Sequence, residues 1–277
     1  MRILCLGGSY TGKAIAQLLA DRCEVVFLTR DPVALRRVGF QATSSTAILN
    51  STEQILIDMV VDSVPPVYNA DGRLTHPYTE ATNSVLKQRE NAPIVHLSST
   101  SVYPSMFSAE LEDDLPVLDE NSPTGPESAR GGRREALEEY VSGLWPGIRI
   151  VRSGGIYGPG RWLGGRFRVG DFGRTGSGNK MVSRIHVYDL ARLVLALGNL
   201  SDNEGPYVVN AVDEKPSSNR ETFTYLERRL GIKIPGGWRA ARPKGRKIVS
   251  NYVKTLLGGR FTYPSYEEGF DNCLTEE

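Results

Sequence analysis

Cysteine is scarce in this chain: it occurs three times in 277 residues, at Cys5, Cys23 and Cys273, and never as a Cys-x-x-Cys pair. A disulfide framework and a cysteine zinc site are therefore excluded, and we predict no metal site. No apolar run approaches the roughly 20 residues that span a bilayer. The N-terminus also lacks a basic region followed by a long apolar stretch. We therefore expect a cytoplasmic protein without membrane contact.

An excess of either charge is also missing. Lys and Arg total 33 and Asp and Glu total 32, which leaves a formal net charge of +1 and no global attraction for nucleic acid. Residues 239–254 do carry six bases and no acid, but only Trp238 and Tyr252 stand near them as stacking aromatics. We interpret this run as a solvated surface and do not predict a nucleic-acid partner.

Hydrophobic residues make up 40% of the chain. Some form short apolar runs, and between these runs lie segments whose apolar residues recur at helical spacing. The runs lie at residues 2–6, 23–28, 59–61, 94–97 and 148–151. Segments long enough for crossover helices separate them, such as residues 12–20 and 79–89. This pattern predicts an α/β fold with a doubly wound parallel sheet.

A glycine loop lies between the first predicted strand and the first predicted helix. Gly7, Ser9 and Gly12 fit Gly-x-Gly-x-x-Gly with a small serine at the second position. Such a loop combines a tight turn, close approach of backbone to a pyrophosphate and the positive end of a helix dipole. We predict dinucleotide binding by this loop, including Tyr10 and Thr11. A glycine turn without a ligand is the alternative.

The end of the second strand indicates which dinucleotide is bound. A site for NAD usually has Asp or Glu there, whereas this chain has Thr29 and Arg30. A guanidinium pairs well with a 2′-phosphate, so we expect NADP in preference to NAD. Two alternatives remain open: Arg30 is a solvated surface residue, or Asp31 binds the ribose.

Further motifs follow the glycine loop in a fixed order. They are residues 63–66 (SVPP), 96–103 (HLSSTSVY), 119–123 (DENSP), 152–161 (RSGGIYGPGR), 184–191 (RIHVYDLA) and 263–269 (YPSYEEG). Together they resemble the extended short-chain dehydrogenase/reductase superfamily over nearly the whole chain, as an atypical member of its NAD-dependent epimerase/dehydratase branch.

The resemblance implies a Rossmann-like doubly wound sheet with a small C-terminal substrate lobe. Residues 1–160 and 186–211 would form the NADP-binding domain, and residues 161–185 and 212–277 would form the lobe. It further implies cofactor contacts at Ser63, Val64, Pro65 and Ser98.

The resemblance also implies a catalytic set, with one departure. Ser99 stands where the family orients the reacting oxygen, and Thr100 would assist it. Where the family has Tyr-x-x-x-Lys, this chain has Arg130 and Arg134. Because a guanidinium stays protonated, Arg130 cannot act as a general base. We predict that the two arginines bind an anion or the nicotinamide ribose; a solvated basic helix face, mixed with residues such as Glu138, is the alternative.

A proton donor must then come from elsewhere. Tyr157 is the predicted candidate, with Tyr103 and Glu127 as others, although packing is the alternative role for both phenols. His76 and His96 have no Asp or Ser partner at a recognisable spacing, so we do not predict a hydrolase triad.

Two functions follow from these residues. The first is an NADP-dependent oxidoreductase or epimerase that acts on a small anionic or sugar-like substrate without the usual acid/base pair. The alternative is a catalytically inactive NADP(H)-binding sensor or scaffold. Monomer and homodimer are both left open.

Overall fold

The structure is a computed structural model that describes residues 1–89, 92–168, 173–174, 176–201 and 204–276. The sequence is rich in Gly and Arg from about residue 155 to residue 178, and residues 169–172 and 175 of this stretch lie outside the described residues. The chain divides into two compact units. Unit 1 comprises residues 1–99, 132–152 and 190–209, and unit 2 comprises residues 100–131, 153–189 and 210–277.

The strands are β1 (Arg2–Leu6), β2 (Glu24–Leu28), β3 (Gln41–Thr43), β4 (Met59–Asp62), β5 (Val67–Tyr68), β6 (Leu74–Thr75), β7 (Ile94–Ser99), β8 (Val117–Leu118), β9 (Arg149–Ser153), β10 (Gly155–Tyr157), β11 (Met181–Val182), β12 (Arg184–His186), β13 (Val208–Ala211), β14 (Ser217–Ser218) and β15 (Lys247–Ile248). The helices are α1 (Tyr10–Leu18), α2 (Pro32–Arg37), α3 (Ser45–Leu49), α4 (Thr79–Leu86), α5 (Ala129–Leu144), α6 (Leu163–Arg168), α7 (Val187–Gly198), α8 (Asn219–Leu230), α9 (Val253–Leu256) and α10 (Tyr266–Thr275). Short 3₁₀ turns lie at Thr100–Val102 and Glu112–Asp114.

A seven-stranded sheet in the order β13-β9-β7-β4-β1-β2-β3 forms the centre of the fold. It lies in unit 1 except for the last residue of β9 and the last two of β13. The pairs β1–β2, β1–β4, β2–β3 and β4–β7 are parallel. Strand order runs in one direction from β1 to β3 and in the other from β4 onward, so the point of reversal lies between β1 and β4. The predicted doubly wound Rossmann-like sheet is confirmed.

The core of unit 1 explains why these segments became strands. Leu4, Leu6 and Val60 are at most 1% exposed, as expected for parallel strands covered on both faces. Val85 of α4 and Leu137 of α5 belong to the same buried cluster. Apolar residues at helical spacing therefore cover the apolar strands, which is the packing that the alternating pattern predicts.

Unit 2 is built from shorter elements. Its two-stranded sheets pair β10 with β12, β11 with β14, and β8 with β15. Its main buried cluster is aromatic and includes Tyr157, Trp162, Phe223 and Phe270. Helix α8 begins with a capping box between Ser218 and Glu221 and ends at a left-handed glycine.

The boundaries of the two units differ from the predicted domains. Residues 100–131 and 153–160 belong to unit 2, whereas the sequence grouped them with the first domain. The assignment of one part to the cofactor and the other to a substrate stays a prediction. Within the described ranges no helix is both long and apolar enough to cross a membrane.

Candidate functional site

The glycine loop has the backbone that its sequence predicts. Strand β1 ends at Leu6, and Gly7 follows with φ +80°, a conformation that favours glycine. The Gly7 N–H donates to the Leu28 carbonyl of β2 at 2.9 Å. Helix α1 then begins at Tyr10, so the N-terminus of this helix, the positive end of its dipole, lies at the carboxyl end of β1.

Ser9 and Gly12 are explained by two different contacts of the loop. Ser9 is the N-cap of α1, and its Oγ accepts the Gly12 N–H at 3.0 Å. A Cβ at Gly12 would lie 3.0 Å from a ring carbon of Phe27 and 3.2 Å from the Ser9 Oγ, so a side chain here would force these neighbours to shift. The serine thus replaces the second glycine of the motif with a capping residue.

The contacts of the residues after β2 bear on the cofactor alternatives, which are Arg30 at a 2′-phosphate, Arg30 at the surface, and Asp31 at the ribose. Asp31 is the N-cap of α2, and its Oδ1 accepts the Ala34 N–H at 3.0 Å. Thr29 Oγ1 accepts the Asp31 N–H at 3.4 Å. Arg30 is exposed and takes part in no ion pair within the described residues. The capping role of Asp31 counts against the ribose alternative, because one of its carboxylate oxygens already accepts a backbone N–H. An exposed Arg30 is compatible both with a 2′-phosphate contact and with a solvated surface residue, so the preference for NADP stays a prediction.

The loop after β4 borders the glycine loop. Ser63 Oγ donates to the Leu6 carbonyl at 2.8 Å. A Cβ placed on Gly7 would lie 3.7 Å from the Ser63 Oγ and 4.0 Å from a methyl group of Val64. Pro65 follows and is exposed. Ser63 and Val64 therefore lie beside the predicted phosphate loop, at the point where strand order reverses.

At the end of β7, Ser98 is buried and bonded to a residue that the sequence interpretation placed on a solvated face. Its Oγ donates to Glu138 Oε1 at 2.5 Å. Glu138 is 6% exposed and also accepts from Arg152, at 2.8 Å from Nη2. The alternative of a solvated helix face therefore does not hold for Glu138, because mixed charges on a helix do not show which one has a buried partner. Ser99, the last residue of β7, is half-buried.

Arg130 and Arg134 lie on α5, one helical turn apart. Arg130 is exposed in the first turn, and Arg134 is half-buried. The glycine after Arg130 has a packing reason: a Cβ on Gly131 would lie 2.4 Å from the Ser101 carbonyl oxygen. Ligand contact by the two arginines stays a prediction.

Both tyrosines predicted as proton donors donate hydrogen bonds to other groups of unit 2. Tyr157 OH donates to the Ser265 carbonyl at 3.1 Å, and burial raises the pKa of its phenol. Tyr103 OH donates to Asn210 Oδ1 at 3.0 Å. These contacts favour packing roles for both phenols, and a catalytic role for Tyr157 stays a prediction.

Two more predicted residues of unit 2 also have defined partners. Glu127 accepts the backbone N–H groups of Ser105 and Met106 at 3.0 and 3.3 Å. Thr100 begins the 3₁₀ turn after β7, and its carbonyl accepts from Arg246 at 2.6 Å. The assistance predicted for Thr100 is not tested by this contact, which uses its main chain.

A cavity of about 480 Å³ lies entirely within unit 2. Arg161, Arg166 and Arg184 line it, together with the aromatic rings of Trp162 and Phe270. None of the described residues that line it is acidic. A cavity with cationic and aromatic walls suits an anion that carries a flat or apolar part. The sequence interpretation missed Arg161 and Arg166, although both stand in the Gly- and Arg-rich stretch.

Solved structures share this fold over their whole length. A putative NAD-dependent epimerase/dehydratase from Methylobacillus flagellatus is 22% identical, with 99% of this chain and 97% of that chain covered and a TM-score of 0.70. The human epimerase family protein SDR39U1 with NADPH is 21% identical, with 99% of both chains covered and a TM-score of 0.72. MoeE5 in complex with UDP-glucuronic acid and NAD is 18% identical, covers 99% and 98%, and has a TM-score of 0.73.

The chain therefore shares the fold of these epimerase/dehydratase structures, and the predicted Rossmann-like α/β fold is confirmed. No protein-family model matches the chain. A search of curated proteins finds no significant match. Within the described residues, no group of three or more His, Cys, Asp or Glu side chains is arranged to hold a metal ion.

Proposed function

We propose that unit 1 binds NADP(H), with the pyrophosphate at the N-terminus of α1 and the 2′-phosphate at Arg30. The observation that carries the proposal is the loop from Gly7 to Gly12. A left-handed glycine follows β1, a capped helix starts three residues later, and a Cβ at Gly12 would lie only 3.0 Å from a ring carbon of Phe27. This cradle lies where strand order reverses, which is the ligand position of open α/β sheets. The human protein of the same fold was solved with NADPH, which agrees with the proposal.

In this proposal the protein is an atypical oxidoreductase or epimerase. The bound dinucleotide would supply hydride transfer, and Ser99 would orient the reacting oxygen of the substrate. Arg134 would hold the nicotinamide ribose, the task that the resemblance gives to a lysine. Unit 2 would bind a small anionic or sugar-like substrate, and the arginine-lined cavity of that unit supports this class.

A second function is supported by the ways in which this chain differs from the catalytic pattern of the family that it resembles. Arginines replace the Tyr-x-x-x-Lys pair, and the phenols of Tyr103 and Tyr157 already donate to groups of unit 2. A protein that binds NADP(H) but lacks a proton donor would act as a sensor or scaffold.

Thermal-shift titration with NADP, NADPH, NAD and NADH tests the cofactor. A ligand at 100 times its Kd stabilises the folded protein by about 2.7 kcal/mol, and we expect the largest shifts with NADP and NADPH. Arg30→Asp should reverse the preference towards NAD and NADH. Arg22→Asp is the matched control, because Arg22 is an exposed arginine just before β2 whereas Arg30 follows its end. Absence of a shift with all four dinucleotides would refute the proposal.

Turnover separates the two functions. NADPH oxidation is measured against a panel of carbonyl compounds with wild type, Ser99→Ala and Arg130→Ala. Turnover that is lost in Ser99→Ala and survives in Arg130→Ala supports the enzyme. Tight NADPH binding with no turnover on any compound supports the sensor.

A further inference from the structure

A buried carboxylate joins three parts of unit 1 beside the proposed cofactor loop. Asp62, the last residue of β4, is 0% exposed. Its Oδ1 accepts the Val64 N–H at 3.0 Å and lies 3.2 Å from His76 Nε2. Its Oδ2 lies 2.7 Å from His96 Nδ1, on the neighbouring strand β7. Three donors from three positions in the sequence thus converge on one side chain.

The protonation of this cluster follows from its contacts. Burial by itself would raise the pKa of the Asp62 carboxyl, but the charges and hydrogen bonds of His96 and His76 outweigh it, so the pKa is lowered. An ionised carboxylate only accepts hydrogen bonds, so each ring nitrogen that faces Asp62 carries a proton. The sequence interpretation found no acidic partner for either histidine, because the partner lies 14 and 34 residues away.

Among the described residues, neither imidazole finds a second hydrogen-bond partner that would orient it. His76 Nδ1 and His96 Nε2 are buried and have no partner within the part of the chain that the structure describes. Trp145 packs edge-on against the His76 ring, with 5.0 Å between the ring centroids. The bond to Asp62 is therefore the directional contact that sets the position of the His76 side chain.

Val64 and His76 are both bonded to Asp62, and their positions in the chain show how these bonds constrain the loop after β4. They are the two ends of residues 64–76, a segment that contains the β5–β6 hairpin. Both ends are held by the same oxygen of Asp62. The segment starts with the residues beside Gly7. Because both ends of the segment are bonded to one oxygen, the loop has less conformational entropy to lose when a ligand binds.

We propose that Asp62 and His76 are positioning residues that hold the loop of Ser63, Val64 and Pro65 in its cofactor-binding conformation. This inference rests on the proposed NADP(H) site and adds how that site is preformed. His96 has a different role. It bonds the same carboxylate from β7, but it lies outside residues 64–76.

Paired leucine variants test the proposal, since leucine has a volume near that of imidazole and no donor. We expect His76→Leu to raise the Kd for NADPH about tenfold and to speed amide hydrogen exchange across residues 63–76. His96→Leu deletes the other bond to Asp62, so both quantities should stay within about threefold of wild type. His76→Gln should restore the wild-type values, because the Gln side-chain amide nitrogen can take the place of Nε2.

Urea unfolding first establishes that each variant is folded, and His76→Asn, whose amide is too short to reach Asp62, replaces His76→Leu if the latter is not. Equal Kd changes in the His76 and His96 variants, or none in either, would overturn the proposal. If wild type binds no dinucleotide, the proposed function fails by itself. Hydrogen exchange then still decides the positioning role: unchanged exchange of residues 63–76 in His76→Leu refutes it, and faster exchange in that variant alone supports it.

Discussion

Replacing Asp213 by asparagine should stabilise the protein by an amount that grows with pH. Asp213 of unit 2 is 4% exposed. Its Oδ1 accepts the Lys215 N–H at 3.2 Å, whereas Oδ2 is buried without a partner in the described ranges. Desolvation by burial is the largest influence on this carboxyl and raises its pKa to about 8. The folded protein therefore holds a proton there that the unfolded chain releases near pH 4.

The magnitude follows from linkage between proton binding and folding. The folded-state pKa is raised, so the stability contributed by Asp213 is fully present below about pH 4 and is lost as the pH rises towards about 8. Each pH unit inside that window costs wild type about 1.4 kcal/mol relative to a side chain that cannot ionise. Between pH 5 and pH 8 the difference between Asp213→Asn and wild type should therefore widen by up to about 4 kcal/mol.

Urea unfolding at pH 5, 6.5 and 8 measures this difference. Glu214→Gln is the matched control, because the neighbouring Glu214 is 43% exposed and pairs with Lys254 at the surface. Its free energy of unfolding should stay within about 1 kcal/mol of wild type at every pH. A difference for Asp213→Asn that stays constant or narrows from pH 5 to pH 8 would refute the reasoning.

Two other substitutions test single contacts of the site. Glu138→Gln removes the carboxylate that pairs with the Arg152 guanidinium, whose side chain is 11% exposed, and should lower the free energy of unfolding by about 3 kcal/mol or more. Glu139→Gln, at an exposed neighbour, is its control, and a loss below about 1 kcal/mol for Glu138→Gln would contradict the buried pairing. Tyr157→Phe removes the bond to the Ser265 carbonyl and should cost about 1 kcal/mol in urea unfolding, while any NADPH-dependent turnover persists. Loss of turnover at unchanged stability would instead identify Tyr157 as the proton donor.

The strand–turn–helix around the glycine loop could be predicted from the sequence because its contacts are local. Ser9 caps a helix that starts at the next residue, and Gly12 lies three positions further on. The predicted strand 23–28 and the predicted helix 79–89 appear as β2 and α4 with small shifts of their ends. Such shifts are expected, since the last turn of a helix is decided by capping contacts rather than by apolar spacing.

The buried polar partners could not be predicted in the same way. Glu138 stands among exposed charges of α5, yet it is bonded to Ser98, 40 residues earlier in the chain. Asp62 meets His96 only because β4 and β7 are adjacent in the sheet. A local pattern records which residue types are present and not which distant group satisfies each of them.

The amino-acid sequence by itself determined the parallel sheet, the glycine loop between β1 and α1 and the absence of the Tyr-x-x-x-Lys pair, because periodicity and motif spacing are properties of neighbouring residues. Only the tertiary structure decided that Asp31 caps a helix and that Arg30 is exposed. It also decided that Glu138 and Asp62 are buried and that three arginines surround one cavity of unit 2. Burying a charge is costly unless a partner is present, and that partner is brought to it only by the folding of distant segments.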